Sequence, residues 1–311
     1  MKGMFIINPS SGTQTIQRRA VVIMERLLKD KDCDGIFTMY THKKDDARLA
    51  AKALRPGEYD YVVAVGGDGT VNEVASGLYE SGSGIPMAVI AAGTVNDFAN
   101  SVGLPKDITN FCGMIRAMRT VPMDLGVMNG EYFYNDSAGG ALSEVAHTTD
   151  PDLKTAFGRL AYLAEGVKKF GNINLRTQPL VFVMDGVTEK FDTFYYTLSN
   201  SKSVGGFQKT APDARINDGK MDLIIVKKIE PAEVLPFFTQ FQNGQHINNK
   251  KLCEYRQVKT LRVYSEDENA WFSLDHDGEA AGNIPVDVEV IPNAIRLVVP
   301  EQSAKLDRIT V

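Results

Sequence analysis

Residues 62–78 read VVAVGGDGTVNEVASGL, a run of Val and Ala that passes through Gly-Gly-Asp-Gly-Thr into a helical pattern. Small residues at a strand-to-helix junction let the backbone approach a neighbour closely. The helix that opens there presents unpaired N–H groups and partial positive charge, which suit a phosphate. The segment thus requires a buried strand followed by a helix, and it marks the junction as a place for an anion.

The preceding and following stretches repeat this unit. MFII (4–7) reads as a short buried strand, and Ile16, Ala20, Ile23, Met24, Leu27 and Leu28 follow helical spacing. GIFTMYT (35–41) predicts a second strand, and DDARLAAKAL (45–54) a helix opened by acids that complement its dipole. YVVAV (61–65) and IPMAVIAA (85–92) are the third and fourth strands, with helices from near Val71 and Val95. Strands separated by helices of this length predict a parallel sheet covered on both faces.

After residue 123 the texture changes. PLVFVMDGVTEKF (179–191) predicts a hairpin turning at Asp185-Gly186, and TFYYTLSN, MDLIIVKK, TLRVYS, WFSLD and AIRLVV read as further strands. Two helical segments interrupt them, GRLAYLAEGVKKF and PAEVLPFFTQFQNG. The fold class is therefore an α/β N-terminal domain, with helices on both faces of a parallel sheet, plus a mainly antiparallel β C-terminal domain. The division falls at 1–125 and 126–299.

The net charge of −5 argues against a broad nucleic-acid-binding face. Cys33, Cys112 and Cys253 are widely spaced and indicate neither a disulfide framework nor a zinc knuckle, which fits a cytoplasmic protein. No stretch approaches the roughly 18 apolar residues of a membrane span, so any membrane contact is expected to be peripheral. Four scattered histidines make no metal-ligand pattern.

GTVNE (69–73) recurs almost unchanged as GTVND (93–97), each copy following an apolar strand. Thr70 with Glu73, and Thr94 with Asp97, fit a Thr-x-x-acid helix start. A P-loop is absent: before the Gly-Lys of DGKMD, position 214 is Ala, and Met221 stands where Ser or Thr is needed. Gly67-x-Gly69 begins like a dinucleotide fingerprint, but Asn72 occupies the place of its third glycine.

NPSSG (8–12), GGDGTVNEV (66–74), GTVNDFA (93–99), APDARINDGKMDL (211–223) and DGE (277–279) occur in that order. Together they resemble the diacylglycerol kinase catalytic family, in particular its soluble bacterial lipid kinases. GGDGT alone is shared with NAD kinases and more distantly with phosphofructokinases; GTVNDFA points to the lipid branch. The resemblance implies a C-terminal β-sandwich, ATP bound between the two domains, and a last segment, about 300–311, that packs back on the first domain. It also implies a lipid substrate of the diacylglycerol type, met by peripheral contact with a membrane, and is compatible with a homodimer.

Residue by residue, the resemblance places Asn8, Ser10, Ser11, Gly12, Thr41, Gly66, Gly67, Asp68, Gly69, Thr70, Asn72, Glu73 and Thr94 around ATP. Gly66, Gly67 and Gly69 allow positive φ and close approach. Thr70, Asn72 and Glu73 read as nucleotide or loop-organising contacts. A carboxylate at Asp68 would repel a triphosphate unless a cation lies between, which suggests Mg²⁺; it also suits a turn-fixing role. Asp97 either holds a helix start or joins Arg18 and Asp124 in a charge network. In relatives, a loop like PDARINDGKMD holds a structural Mg²⁺; carried over, Asp218 supplies its side chain, and Arg215 and Lys220 their carbonyls.

Asp277 is the candidate general base for a lipid hydroxyl, with Glu279 as the competing or assisting carboxylate; a tight Asp-Gly turn explains the same residues structurally. Two positions depart from the pattern, Thr13 where relatives carry Lys and Asn100 where NDFAR is common. Phe237, Phe238 and Phe241 read as core of a helix in preference to a bilayer-facing patch. The reading is an ATP-dependent lipid kinase. The rivals are an NAD kinase-type enzyme and a nucleotide- or lipid-binding regulator without turnover.

Overall fold

The structure, a computed structural model, describes residues 1–11, 14–93, 96–140 and 176–301. The chain divides into two compact units, one formed by Met1–Leu125 with the segment from Pro292, the other by Gly126–Ile291.

In the first unit, β1 (Lys2–Ile7), β2 (Gly35–Tyr40), β3 (Tyr61–Gly66) and β4 (Met87–Ala91) form a parallel sheet in the order β4-β3-β1-β2. All six residues of β3 are buried, which a strand achieves only when both faces of its sheet are covered. At the edge, β2 leaves Phe37 and Tyr40 exposed. The helices are α1 (Gln14–Lys29), α2 (Asp46–Lys52), α3 (Asp68–Ser81), α4 (Asp97–Val102) and α5 (Ile108–Ala117).

Ala20, Ile23 and Leu27 of α1 are buried, as their spacing predicts, but Leu28 is exposed, a step too far round the helix. Sequence reading missed α5, although Asp107 caps it by accepting the Asn110 N–H at 2.9 Å, ahead of the apolar Phe111, Cys112, Met114 and Ile115.

β5 (Thr120–Met128) leaves the first unit and β15 (Val286–Val298) re-enters it. Leu297 lies opposite Met87 of β4 in parallel pairing, and the Val299 N–H donates to the Arg119 carbonyl at 2.9 Å. The residues from Pro292, expected with the second domain, therefore group with the first. The closing segment SAKLDRITV lies outside the described residues.

In the second unit, β6 (Glu131–Phe133), β7 (Asp136–Gly140), β8 (Gln178–Met184), β9 (Val187–Ser199), β10 (Met221–Lys227), β11 (Cys253–Val258), β12 (Thr260–Tyr264), β13 (Ser273–His276) and β14 (Glu279–Asn283) pair antiparallel. The long β9 pairs with β8 along its first half, and with β7 and β10 along its second. The β8–β9 hairpin turns at Asp185 and Gly186, both at positive φ, as Asp-Gly predicts.

One apolar core gathers Leu180, Phe182, Tyr196, Leu223, Val263 and Leu274. A second lies under α6 (Pro231–Asn243), where Phe237 and Phe241 pack with Phe207, Ile224 and Val226. These two phenylalanines are core, as expected, and Phe238 is partly buried against the same cluster. The segment GRLAYLAEGVKKF lies outside the described residues. The three cysteines are buried and free. Among the described residues no helix is long and apolar enough to cross a membrane.

Candidate active site

Parallel pairing puts the carboxyl ends of β1, β3 and β4 on one side of the first unit, and the loops that leave them meet there. Asn8, which follows β1, donates from Nδ2 to Thr70 Oγ1 at 3.0 Å and accepts the Ser10 N–H and hydroxyl on Oδ1, at 3.0 and 2.7 Å. Its own N–H reaches the Val65 carbonyl at 2.9 Å, so the first loop is tied to the glycine turn at two points. On the other side the Gly66 carbonyl accepts the Ala92 N–H at 2.8 Å. A Cβ on Gly93 would stand 3.6 Å from Asp68 Oδ2 and 3.2 Å from Asn96 Oδ1. Asp68 thus lies against the third loop.

The glycines act differently from expectation. Gly66, Gly67 and Gly69 do not have positive φ. Gly66 is required by space, because a Cβ there would sit 2.4 Å from both Cβ and Oγ1 of Thr70. Gly67 is the N-cap of α3, and the nearest atom to a Cβ placed on it is Ser11 Oγ at 4.0 Å. The glycine turn therefore leaves an open approach to the first N–H groups of α3.

The Thr-x-x-Glu helix start at Thr70 is overturned. Without side chains in the way at Gly66 and Gly67, α3 starts at Asp68, not near Val71, and Thr70 is already inside its first turn. Its hydroxyl serves Asn8. Glu73 instead reaches the neighbouring helix, accepting the Asp45 N–H on Oε1 and the Ala47 N–H on Oε2, each at 3.0 Å. Asn72 Oδ1 accepts the Ser76 hydroxyl at 3.4 Å along α3. Thr41 is buried at the end of β2, its N–H on the Ile7 carbonyl at 2.9 Å.

Gly12, Thr13 and Thr94 lie outside the described residues. The helix after β4 begins at Asp97, with Asn96 in the left-handed region at φ 55°, later than the Val95 expected. Asp124, fully buried, accepts the Asn293 N–H at 2.6 Å and so anchors the returning segment, a role the sequence did not signal.

In the second unit, Asp277 and Gly278 form the two-residue turn between β13 and β14, at φ 47° and 80°. The Asp277 carboxylate is buried among three consecutive backbone donors. Oδ2 accepts the Tyr134 N–H at 2.9 Å, and Oδ1 those of Asn135 and Asp136 at 2.9 and 3.1 Å. These donors fix the place of the carboxylate. Turn residue and positioned carboxylate are here the same side chain. Glu279 opens β14 opposite His276, partly exposed, and Asp275 is buried in β13.

Behind the three donors lies a buried polar scaffold that sequence reading missed. Asn200 donates from its side chain to the Tyr134 carbonyl at 2.9 Å and from its N–H to the Asn135 carbonyl at 2.8 Å. The Ser201 hydroxyl donates to Asn135 Oδ1 at 2.6 Å. The only local signal is the polar run SNS (199–201) at the end of a buried strand.

The acid-rich loop before β10 also takes shape. Asp218 Oδ1 accepts the Lys220 N–H at 3.1 Å, and burial raises its carboxyl despite the nearby cations. Asp222, almost wholly buried and bonded to the Tyr255 hydroxyl, is pushed up to about 7, first by burial and further by Asp218 and Asp213. A buried carboxyl at Asp222 with a more exposed one at Asp218 nearby offers oxygen ligands of the kind a hard cation takes. Among the described residues no three His, Cys, Asp or Glu side chains are grouped to hold a metal, so such a site would draw on carbonyl oxygens. His246 is buried against Phe241, its Nε2 hydrogen-bonded to the Thr210 carbonyl at 2.9 Å.

An α/β sheet whose loops expose a helix N-terminus, and an antiparallel unit presenting a fixed carboxylate, are the parts of a two-domain phosphotransferase. Residues 2–128 match the family described as diacylglycerol kinase catalytic domain, and residues 138–299 the YegS C-terminal NAD kinase beta sandwich-like domain. The chain is 32% identical over 306 residues to a diacylglycerol kinase of Bacillus subtilis (strain 168), covering 96% of this chain and 97% of that one. To a diacylglycerol kinase of Staphylococcus carnosus (strain TM300) it is 33% identical over 300 residues, with 95% and 94% covered. A crystal structure described as that of a diacylglycerol kinase from Bacillus anthracis str. Sterne shares the fold, with a TM-score of 0.72 at 20% identity over 96% of this chain and 97% of that one. A second structure from that organism gives 0.79 at 22%, over 96% and 95%. The chain belongs to the diacylglycerol kinase catalytic-domain family. It is an ATP-dependent lipid kinase, transferring phosphate to an alcohol group.

Proposed function

We propose that the acceptor is diacylglycerol, that the product is phosphatidic acid, and that Mg²⁺ accompanies the ATP. The observation that carries the reading is the meeting of the strand-end loops 8–11 and 66–70, with Gly93 and Asn96 beside Asp68, around the open N-terminus of α3. The N–H groups after Gly67 receive phosphate oxygens, and Asn8, Ser10, Ser11 and Thr70 shape the wall of that seat. Gly12 and Thr94 continue the same loops in sequence. Asp68 would hold a Mg²⁺ ion, which would offset charge on the phosphates.

Asp277 accepts the proton of the lipid hydroxyl. That oxygen then bonds to the γ-phosphorus as the bond to ADP breaks, so the products are the phosphorylated lipid and ADP. A second reading gives the proton to Glu279. It is favoured by the three N–H donors on Asp277, which make that carboxylate an anchor for the hairpin. The Asp218 side chain, with the carbonyl oxygens of Arg215 and Lys220, would hold a second Mg²⁺, which would stiffen the loop before β10. Because diacylglycerol resides in a bilayer, the enzyme works from the cytoplasm by peripheral contact with the membrane.

The test is transfer of label from γ-labelled ATP, with Mg²⁺, to mixed micelles containing diacylglycerol, with NAD⁺ as a parallel acceptor and Asp277→Asn and Glu279→Gln as controls. Label in phosphatidic acid supports the reading, and the control that abolishes transfer while keeping nucleotide binding identifies the base. Label on NAD⁺ alone overturns the lipid acceptor. ATP binding without transfer to any acceptor favours a regulator.

A further inference from the structure

Glu73 stands in the sequence as part of the GGDGTVNEV run, yet both its carboxylate oxygens point away from the glycine turn, toward the start of α2. That start is made by the loop 41–47, Thr-His-Lys-Lys-Asp-Asp-Ala. Two carboxylates organise it. Asp46 Oδ2 accepts the His42 and Lys43 N–H groups at 2.8 and 3.0 Å, and Glu73 takes those of Asp45 and Ala47. Asp45 lies in the left-handed region at φ 68°, a conformation that external bonds must help to hold.

Two consequences follow from this arrangement. At the start of α2 the Asp45 and Ala47 N–H groups serve Glu73 and that of Asp46 reaches the Lys43 carbonyl at 3.4 Å, so these three are not open to the phosphates of a nucleotide. Thr41, buried, follows the pairing of Ile7 with Tyr40 and so stands at the same strand-end level as Asn8. Separately, the packing of α2 on α3 does not depend on Glu73. A Cβ on Gly77 would stand 2.3 Å from the Arg48 carbonyl and 2.7 Å from Ala51 Cβ, so the helices touch backbone to backbone there. Arg48 and Glu80 add an ion pair at 2.6 Å.

We infer that Glu73 is a positioning residue for nucleotide binding. From the phosphate-loop helix α3 it holds the 41–47 loop so that Thr41 meets the nucleotide away from its phosphates, and it does not itself touch the nucleotide. The inference rests on the ATP reading above. Releasing the loop makes nucleotide binding supply the ordering that Glu73 supplies in advance, and that cost falls on affinity.

The experiment measures Mg²⁺–ADP and Mg²⁺–ATP binding by calorimetry, kinetic constants with diacylglycerol micelles, and thermal midpoints, for wild type, Glu73→Ala and Glu80→Ala. The expected result for Glu73→Ala is a nucleotide Kd and KM raised about tenfold, with kcat at saturating ATP and the lipid KM unchanged. Glu80→Ala, which loosens the helix pair without touching the loop, lowers the thermal midpoint and leaves the nucleotide Kd in place. An unchanged Kd in Glu73→Ala overturns the inference, as does a fall in kcat at saturating ATP, or an equal Kd rise in Glu80→Ala. Wild type that binds nucleotide but phosphorylates no lipid sinks only the acceptor assignment, since the Kd comparison still stands. Wild type that binds no adenine nucleotide sinks both.

Discussion

The Asp277 carboxylate meets the Asn135 N–H at 2.9 Å, across 142 residues of chain, and the N–H groups on either side of Asn135 bond to the same carboxylate. A residue that looks like a proton acceptor is thus also the peg of its own hairpin. Asp277→Ala leaves three donors without their acceptor, and the expected loss is about 1–3 kcal/mol of stability at the least. Glu279→Gln, at a partly exposed position, is expected to cost less stability than Asp277→Ala. Denaturant unfolding of the two variants, beside their transfer rates, separates support from chemistry.

Gly66 and Gly67 are adjacent and predict opposite outcomes. Gly66→Ala drives a methyl group into Thr70 and is expected to lower stability by about 1–3 kcal/mol, seen as a fall in thermal midpoint. Gly67→Ala has open space and ordinary φ, so the fold should persist. If phosphate approaches this backbone closely, the same variant weakens ATP binding by an order of magnitude or more, about 1.4 kcal/mol per tenfold. Calorimetric titration of the folded variant reads that directly.

His246 supplies a pH dependence. Burial lowers its folded pKa to about 4, against 6.5 for the free side chain. Between these values the unfolded chain binds a proton that the folded chain refuses, so stability is full above pH 6.5 and is lost as pH falls toward 4. The shift corresponds to about 3 kcal/mol at most, at 1.36 kcal/mol per pKa step. Comparing the unfolding free energies of wild type and His246→Gln from pH 4 to 7 isolates it. The wild-type curve should fall more steeply on the acid side.

Mg²⁺ without nucleotide should raise the thermal midpoint of the wild-type protein through the loop at 215–220. At a hundredfold excess over Kd a single site contributes about 2.7 kcal/mol. Asp218→Asn is expected to abolish that increment while keeping the midpoint measured in a chelator. An equal Mg²⁺ response in both proteins would remove the loop from metal binding.

The glycine turn, the four parallel strands and the Asp185-Gly186 hairpin were legible because each is a local pattern: period, small residues, turn chemistry. α5 carried the same kind of signal in Asp107 and its apolar spacing, and was passed over. The helix start at Thr70 was misplaced because a Thr-x-x-Glu pattern fits a cap in isolation, whereas the bare glycines ahead of it let the helix begin earlier.

By itself the sequence determined the parallel strands of the first unit, the hairpin at Asp185-Gly186, that a Gly-rich turn leads from β3 into a helix, and that Asp277 sits in a tight turn. Only the tertiary structure decided what the carboxylates hold. Glu73 finds its two N–H groups 28 and 26 residues away, Asp277 finds its three 143 to 141 residues away, and Asp124 meets Asn293 across 169. Such partners are chosen by strand order and helix packing, and burial then demands that every brought-together donor be answered. No local pattern encodes an acceptor that distant.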